Sequence, residues 1–133
     1  MMWPSYFPDA CPPDDAISAS LTVYRAVLNV PPTKEDFLPQ KAMKPKVWYG
    51  NNTCFFCSVS LFTDYNEAVV ASQSIKSRSG NYKIAKGTTD PNKGVVLCSS
   101  TSSHVDYWVY TGITIHSGFT IVTKSEGQSC DDV

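Results

Sequence analysis

The stretch SLTVYRAVL, residues 20–28, has the composition of a β-strand and carries one charge near its centre. Its β-branched and aromatic residues favour an extended backbone. Alternate residues of a strand share one face, so Arg25 faces the same side as Val23 and Val27, which a hydrophobic core would cover. A guanidinium group on that side needs a partner. We therefore expect Arg25 to line a cleft that accepts an anion. The alternative is a structural role, either in an ion pair or along apolar surface at a sheet edge.

The chain has 133 residues, of which 42% are hydrophobic and 17% charged, and this composition is typical of a globular protein. A chain of this length can bury a core without disulfides. The sequence therefore predicts a single domain over residues 1–133. Its parts are an arm rich in proline and aromatic residues at 1–16, an α+β core at 17–126 and a flexible tail at 127–133.

The formal net charge is −1, and the 11 basic residues are spread along the chain. A nucleic-acid-binding surface is usually more basic, so we do not expect a nucleic-acid partner. The first 15 residues contain neither a basic residue nor an apolar run. We therefore expect no signal peptide, no membrane association and a cytoplasmic location.

The arm at residues 1–16 cannot form regular hydrogen-bonded ladders, because prolines interrupt it at positions 4, 8, 12 and 13. It nevertheless carries Trp3, Tyr6 and Phe7. Three large aromatic residues predict that the arm is ordered and packed. The surface that it packs against is either its own domain or a protein partner.

Two segments carry helix-start signals. Thr33 precedes a turn that contains Glu35 and Asp36 and that Pro39 ends. Residues 54–62, CFFCSVSLF, alternate in the manner of a half-buried strand, and Asp64 and Glu67 then form a capping-box pattern. We expect a helix to follow and to end at residues 79–81.

The remainder of the chain has strand composition in four segments that turn-rich stretches separate: residues 82–86, 94–98, 106–111 and 118–124. Runs of strands with few helices favour the α+β class. The predicted fold is a mainly antiparallel twisted sheet with one short and one longer helix.

Tyr24-Arg25 on an early strand, followed by Ser58-Val59-Ser60 on a strand that leads into a capped helix, resembles the layout of ADP-ribosyltransferase-like proteins and the related RES toxins. In that group a Tyr-Arg strand holds the phosphates or ribose of NAD, a serine-rich strand follows, and an acidic residue lies near a later strand. Glu126 matches the acidic position in chain order. Its context, Ser125-Glu126-Gly127-Gln128, departs from the Glu-x-Glu or Gln-x-Glu form of the family.

The resemblance implies a small toxin or effector that binds NAD or a related nucleotide. Tyr24, Arg25, Ser58 and Ser60 would bind NAD as a substrate, and no cofactor would be held permanently. Glu126 or His104 would act near the reacting carbon, as an NAD glycohydrolase or an ADP-ribosyltransferase.

His104 stands where a polar run enters a strand, beside Tyr107 and Trp108. A histidine there can act as an acid or a base near neutral pH, and a plain surface histidine is the alternative. We find no Ser-His-Asp spacing in the sequence that predicts a triad, and no glycine-rich phosphate loop.

Cys54 and Cys57 form a Cys-x-x-Cys pair among five cysteines. In a strand the two side chains would point to opposite faces and could not share a metal ion. The odd number of cysteines also fits reduced thiols in the cytoplasm. We expect no metal site, with these cysteines as buried free thiols.

A second interpretation is a protein without catalytic activity that binds a protein partner. It would be an immunity protein or accessory subunit of a bacterial defence or conflict operon, paired with a toxin, an antitoxin or another operon neighbour. The aromatic arm supports this alternative, because aromatic anchors are enriched at interfaces.

Overall fold

The structure is a computed structural model, and it describes residues 2–75 and 81–123. Six strands are present in this part of the chain: β1 (Thr22–Val27), β2 (Val59–Phe62), β3 (Lys83–Thr88), β4 (Gly94–Cys98), β5 (His104–Val109) and β6 (Thr120–Val122). The α-helices are α1 (Gln40–Met43), α2 (Thr53–Phe56) and α3 (Tyr65–Ile75), and one-turn 3₁₀ helices span Lys34–Phe37, Gly50–Asn52 and His116–Gly118. Glu126 and the tail at 127–133 lie outside the described residues.

The strands form one antiparallel sheet in the order β4-β5-β2-β1-β3-β6. Helix α3, with 11 residues, is the longest helix described. The predicted α+β class and the antiparallel sheet are therefore confirmed. The number of helices differs from the prediction, because short single-turn helices occupy the segment between β1 and β2.

Alternation along β1 divides the core between the two faces of the sheet. Val23 and Val27 belong to the larger cluster, together with Phe37 and Leu61. Tyr24 belongs to a smaller cluster that helix α3 covers. Each face of β1 is thus packed, as expected for a strand near the centre of the sheet.

The beginning of α3 was predicted correctly. The backbone N–H of Glu67 donates a 2.8 Å hydrogen bond to the Asp64 side chain, so Asp64 is the N-cap. The Glu67 side chain instead accepts hydrogen bonds from the backbone N–H and hydroxyl of Ser103, at 3.0 and 2.6 Å. Glu67 therefore connects the helix to the residue before β5. The predicted helix end at 79–81 falls partly outside the described residues.

The predicted strand at 54–62 is wrong in its first half. Residues 53–56 form helix α2, and β2 begins only at Val59. Cys57 is the C-cap of α2, and its N–H donates to the carbonyl groups of Cys54 and Phe55. The short alternation of bulky and small residues matches a single helical turn as well as it matches a strand.

The arm packs against the domain. Trp3 stacks on Phe7 with the ring centroids 5.5 Å apart, and its ring centroid lies 4.6 Å from that of Tyr110. The backbone N–H of Thr111 donates to the carbonyl of Met2 at 3.0 Å. The aromatic residues of the arm are therefore in contact with the chain's own core.

A disulfide joins Cys11 of the arm to Cys54 of α2. The prediction of reduced thiols is therefore wrong for these two cysteines, whereas Cys57 is a buried free thiol, as expected. Cys11 and Cys54 are 43 positions apart in the sequence, so the pairing depends on contact between the arm and α2. In the described part of the chain, no helix is both long and apolar enough to span a membrane.

Candidate functional site

A cavity of about 570 Å³ lies beside strands β1, β2 and β5, with the segment from Glu35 to Phe56 contributing another wall. Four of the residues predicted from the sequence line it: Arg25, Ser58, Ser60 and His104. These residues come from three separate parts of the chain. The sheet brings them together, because β2 pairs with both β1 and β5.

Arg25 is held by two backbone carbonyl groups. Its Nε donates to the carbonyl of Asp36 at 2.8 Å, and its Nη1 donates to the carbonyl of Ser60 at 2.7 Å. Its guanidinium carbon also lies 5.7 Å from the centre of the Phe37 ring. Among the residues described, Nη2 has no hydrogen-bond partner, so part of the donor set remains for a ligand.

Burial lowers the pKa of Arg25 to about 10, although the nearby Asp36 and Tyr82 raise it. This pKa still leaves the guanidinium positively charged at neutral pH. The guanidinium is partly buried and its two hydrogen bonds go to neutral carbonyl groups, so its charge attracts anions more strongly than that of a fully solvated arginine. Arg25 can therefore both hold the local backbone and bind a negative group.

Ser60 and His104 are in direct contact. The Oγ atom of Ser60 lies 2.5 Å from Nε2 of His104, across the boundary between β2 and β5. The register pairs Ser60 with Asp106 and Phe62 with His104. Ser60 and His104 are therefore diagonal neighbours on one face of the sheet, a separation that side chains of this size can bridge.

Asp106 completes the polar group, and the sequence analysis did not identify it. Its Oδ2 lies 3.8 Å from Nδ1 of His104, and its Oδ1 accepts a 2.7 Å hydrogen bond from the hydroxyl of Ser58. Burial raises the pKa of Asp106, while Ser58 and His104 oppose that shift. The missed signal was alternation: His104 and Asp106 are two residues apart on one strand and so share a face.

Four side chains are linked by consecutive polar contacts, in the order Ser60, His104, Asp106 and Ser58. The Ser58 Oγ atom also lies 2.8 Å from the carbonyl oxygen of Phe55, so its single hydroxyl proton is shared between this carbonyl and Asp106. Such an arrangement can move a proton between the cavity and His104. The rest of the wall is mostly apolar, with Leu28, Leu38, Met43, Phe55, Phe56 and Phe62, and it also includes the acidic residues Glu35 and Asp36.

Tyr24 has a different environment from the other predicted residues. Its ring is buried at the α3 side of the sheet and meets the ring of Tyr65 edge-on, with centroids 5.8 Å apart. Lys86 Nζ lies 5.9 Å from the centre of the Tyr24 ring. Tyr24 does not belong to the described lining of the 570 Å³ cavity.

Cys54 is joined to Cys11, so it offers no thiolate to a metal ion. Within residues 2–75 and 81–123, no group of three or more histidine, cysteine or acidic side chains could hold a metal ion. Cys57 lies in a second cavity of about 280 Å³, where burial raises the pKa of its thiol to about 11 although Lys41 lowers it.

The site thus combines a partly buried guanidinium, a Ser-His contact, a carboxylate beside the histidine and a mostly apolar wall. This combination can bind an anion and transfer a proton next to it. We compared the chain with protein-family models, curated protein sequences and solved structures, and none of them matches it.

Proposed function

We propose that the protein binds NAD as a substrate and cleaves the bond between nicotinamide and ribose, as an ADP-ribosyltransferase-like toxin or effector or as an NAD glycohydrolase. One observation carries the proposal: Arg25, Ser60 and His104, which are far apart in the sequence, line the same cavity. No cofactor is bound permanently in this proposal.

Arg25 binds the diphosphate of NAD. Its Nε and Nη1 atoms are fixed on the carbonyl groups of Asp36 and Ser60, which orients the planar fork before a ligand arrives. A preorganised side chain loses less conformational entropy on binding. The remaining donors match the oxygens of a phosphate, for which arginine is well suited.

Ser60 and His104 act at the nicotinamide ribose. The hydroxyl of Ser60 contacts His104 and faces the cavity, whereas the hydroxyl of Ser58 is bonded to Asp106 and to the Phe55 carbonyl. Ser60 is therefore the better placed of the two predicted serines to bind a ribose hydroxyl. Ser58 keeps a supporting role, because it fixes the Asp106 carboxylate.

Negative charge near the ribose favours departure of nicotinamide, because positive charge develops on the sugar in the transition state. Asp106, beside His104, supplies a carboxylate on the cavity wall. Glu126, which the family resemblance assigns to this task, lies outside the described residues and stays a prediction. The aromatic rings of Phe55 and Phe56 offer an apolar surface to the nicotinamide ring.

The test is to incubate the purified protein with NAD and to measure free nicotinamide by chromatography. We expect release by the wild type and a loss of about a hundredfold in rate for His104→Ala, as for removal of other acid-base groups. Ser60→Ala should also lower the rate. Ser100→Ala is the matched control, because this exposed hydroxyl lies outside the cavity lining and its loss should leave the rate unchanged.

A melting experiment tests binding separately from catalysis. A ligand that binds only the folded state adds about 2.7 kcal/mol at a concentration one hundred times its Kd. We expect NAD to raise the Tm of the wild type and of Ser100→Ala, and to have a weaker effect on Arg25→Lys, which keeps the charge but loses the fork. Wild-type protein that releases no nicotinamide and shows no Tm shift in millimolar NAD would contradict the proposal.

A second candidate function is binding to a protein encoded nearby in a bacterial defence or conflict operon, such as a toxin or an antitoxin. The arm no longer supports it, because its aromatic residues pack on the domain. The observation that favours it is Trp48, whose side chain is 88% exposed and which follows the exposed Val47. Tryptophan is enriched among the residues that contribute most to binding at protein interfaces.

Co-expression with the products of the neighbouring genes tests this second function. A stable complex on size-exclusion chromatography, weakened by Trp48→Ala, is the expected result. If the protein elutes separately from each of the co-expressed proteins, this second function is contradicted. The NAD assay is independent of this outcome.

The proposed location is the cytoplasm, and the redox state of the cysteines tests it. Disulfides are rare in cytosolic proteins and common in oxidising compartments, so the Cys11–Cys54 bond counts against this location. Protein trapped by rapid alkylation in intact cells should carry alkylated Cys11 and Cys54 if it is cytoplasmic. Recovery of the linked pair from an oxidising compartment would contradict that location.

A further inference from the structure

We propose that Ser60 is also a covalent nucleophile, activated by His104, that cleaves carboxylic esters with an apolar acyl group. This activity goes beyond the NAD chemistry proposed above and does not depend on it. The inference rests on three neighbouring groups in the cavity wall: Ser60, His104 and Asp106.

The order of contacts is that of a nucleophile, a base and a group that orients the base. Ser60 Oγ lies 2.5 Å from His104 Nε2, which is within reach for proton transfer. His104 Nδ1 lies 3.8 Å from Asp106 Oδ2, longer than a hydrogen bond. Catalytic hydrogen bonds are often longer before a substrate is bound, and such sites are recognised by geometry and not by sequence order.

Asp106 is itself fixed in place. The hydroxyl of Ser58 donates to its Oδ1 at 2.7 Å, which leaves Oδ2 directed towards His104. Asp106 therefore acts as a positioning residue that favours a proton on Nδ1 of His104, so that Nε2 can accept the proton of Ser60. The two residues lie on the same face of β5, so the strand itself sets their relative orientation.

The reaction has two balanced steps. In the first step Ser60 Oγ forms a bond to the carbonyl carbon and His104 takes the hydroxyl proton; the bond from that carbon to the alkoxy oxygen then breaks, and the alcohol leaves with the proton from His104. In the second step His104 takes a proton from water as the water oxygen bonds to the acyl carbon; the Oγ–carbon bond breaks, His104 returns the proton to Ser60 Oγ, and a carboxylic acid is released. The products together contain the atoms of the ester and one water molecule.

The cavity also supplies a group for the negative charge on the carbonyl oxygen. Arg25 is bonded to the backbone of Ser60 and lines the same cavity, so its remaining donors lie beside the nucleophile's strand. A fixed positive group next to a developing oxyanion lowers the barrier. Arg25 therefore supplies positive charge to the cavity, and the proposal assigns it to the oxyanion.

The substrate class follows from the remaining wall. Leu28, Leu38, Met43, Phe55 and Phe56 line the cavity and offer an apolar surface to an acyl chain or an aromatic acid. A volume of about 570 Å³ accommodates a small ester. An ester is neutral, so its binding requires no charged partner in the cavity.

The test uses an alkyl fluorophosphonate, which transfers its phosphonyl group to an activated serine as fluoride leaves. We expect one label per chain by intact mass, located by peptide mapping at Ser60, and none at that peptide in Ser60→Ala. The labelling rate should fall about a hundredfold in His104→Ala. Ser100→Ala, an exposed serine outside the cavity lining, should label as the wild type does.

A second measurement follows hydrolysis of p-nitrophenyl butyrate. Ser60→Ala should abolish this hydrolysis. Asp106→Asn should change the pH dependence of the labelling rate at Ser60, which would stay the same if Asp106 had only a structural role. Circular dichroism checks that each variant is folded. Absence of label at Ser60 in the folded wild type, or an equal rate in folded His104→Ala, would overturn the proposal whether or not NAD is cleaved.

Discussion

Arg25 donates a hydrogen bond of 2.7 Å from its Nη1 atom to the backbone carbonyl of Ser60, on the neighbouring strand. The ladder between β1 and β2 has a single paired position, Tyr24 with Phe62, so the guanidinium supplies a link beside a short ladder. The same side chain lines the cavity. One arginine therefore connects two strands and presents positive charge to a ligand.

Replacing Arg25 by alanine should lower the free energy of unfolding by about 2–4 kcal/mol, because the carbonyl groups of Asp36 and Ser60 each lose a donor. Urea denaturation measures the change. Lys83→Ala is the control, because this lysine is exposed on β3 and its loss should change stability by less than about 0.5 kcal/mol. Equal stability of Arg25→Ala and Lys83→Ala would show that the two hydrogen bonds contribute nothing.

Loss of the disulfide through Cys11→Ser should destabilise the protein by about 2–4 kcal/mol, because the bond closes a long loop in the unfolded chain. Urea denaturation under non-reducing conditions measures the effect, and intact mass shows whether the disulfide is present. Cys98→Ser, at an exposed free thiol, is the control. A Cys11→Ser variant as stable as Cys98→Ser would contradict the prediction.

Burial of Asp106 should produce a pH dependence that Asp106→Asn removes. Burial raises the pKa of Asp106 above its ordinary value of 3.8, so the shift adds to the stability of the folded protein below that value, where the side chain is protonated. This stabilisation is lost as pH rises through the pKa of the folded state. The stability of Asp106→Asn relative to the wild type should therefore increase with pH. Chemical denaturation at several pH values measures this, and a difference that is constant with pH would refute it.

Asp36 should show the opposite dependence. Burial raises its pKa, but hydrogen bonds from the N–H groups of Thr33 and Leu28 outweigh burial and hold the pKa below 3.8. The ionised Asp36 side chain therefore stabilises the folded protein above pH 3.8, and this stabilisation is lost as pH falls through the pKa of the folded state. In the same denaturation series the wild type should gain stability over Asp36→Asn as pH rises. A slope of the same sign as that of Asp106→Asn would be inconsistent with these two environments.

The thiol of Cys57 should react slowly with iodoacetamide in the folded protein. A pKa raised from 9.0 to about 11 reduces the thiolate at pH 8 by about a hundredfold. Peptide mapping after timed alkylation measures the rate, and the same peptide in urea is the control. Folded and unfolded protein reacting equally fast at Cys57 would contradict the raised pKa.

Local patterns predicted much of the fold. The strand around Arg25, the strand at 94–98 and the Asp64 cap depend on neighbours within a few residues, and the structure has each of them. Helix α2 was missed, because a single turn is too short for periodicity to separate it from a strand.

The candidate site was predicted only in part. Arg25, Ser60 and His104 were identified by residue type and position. Asp106 was not, because the predicted strand began at that residue, where a carboxylate is usually solvated, whereas β5 begins at His104. Its importance comes from the Ser58 hydroxyl, which reaches it from the residue before β2, and from the His104 ring two residues away on β5. The Cys11–Cys54 pair was likewise invisible in the sequence, since five cysteines allow many pairings.

The sequence by itself determined that the chain forms an antiparallel α+β sheet and that a charge sits at the centre of its first strand, because alternation and capping act between near neighbours. Only the tertiary structure decided what surrounds that charge. The β2–β5 register sets Ser60 opposite Asp106 and beside His104, and the loop after β1 brings the Asp36 carbonyl to Arg25. Such contacts depend on which strands become neighbours, and that choice is made by packing of the whole chain and not by any one segment.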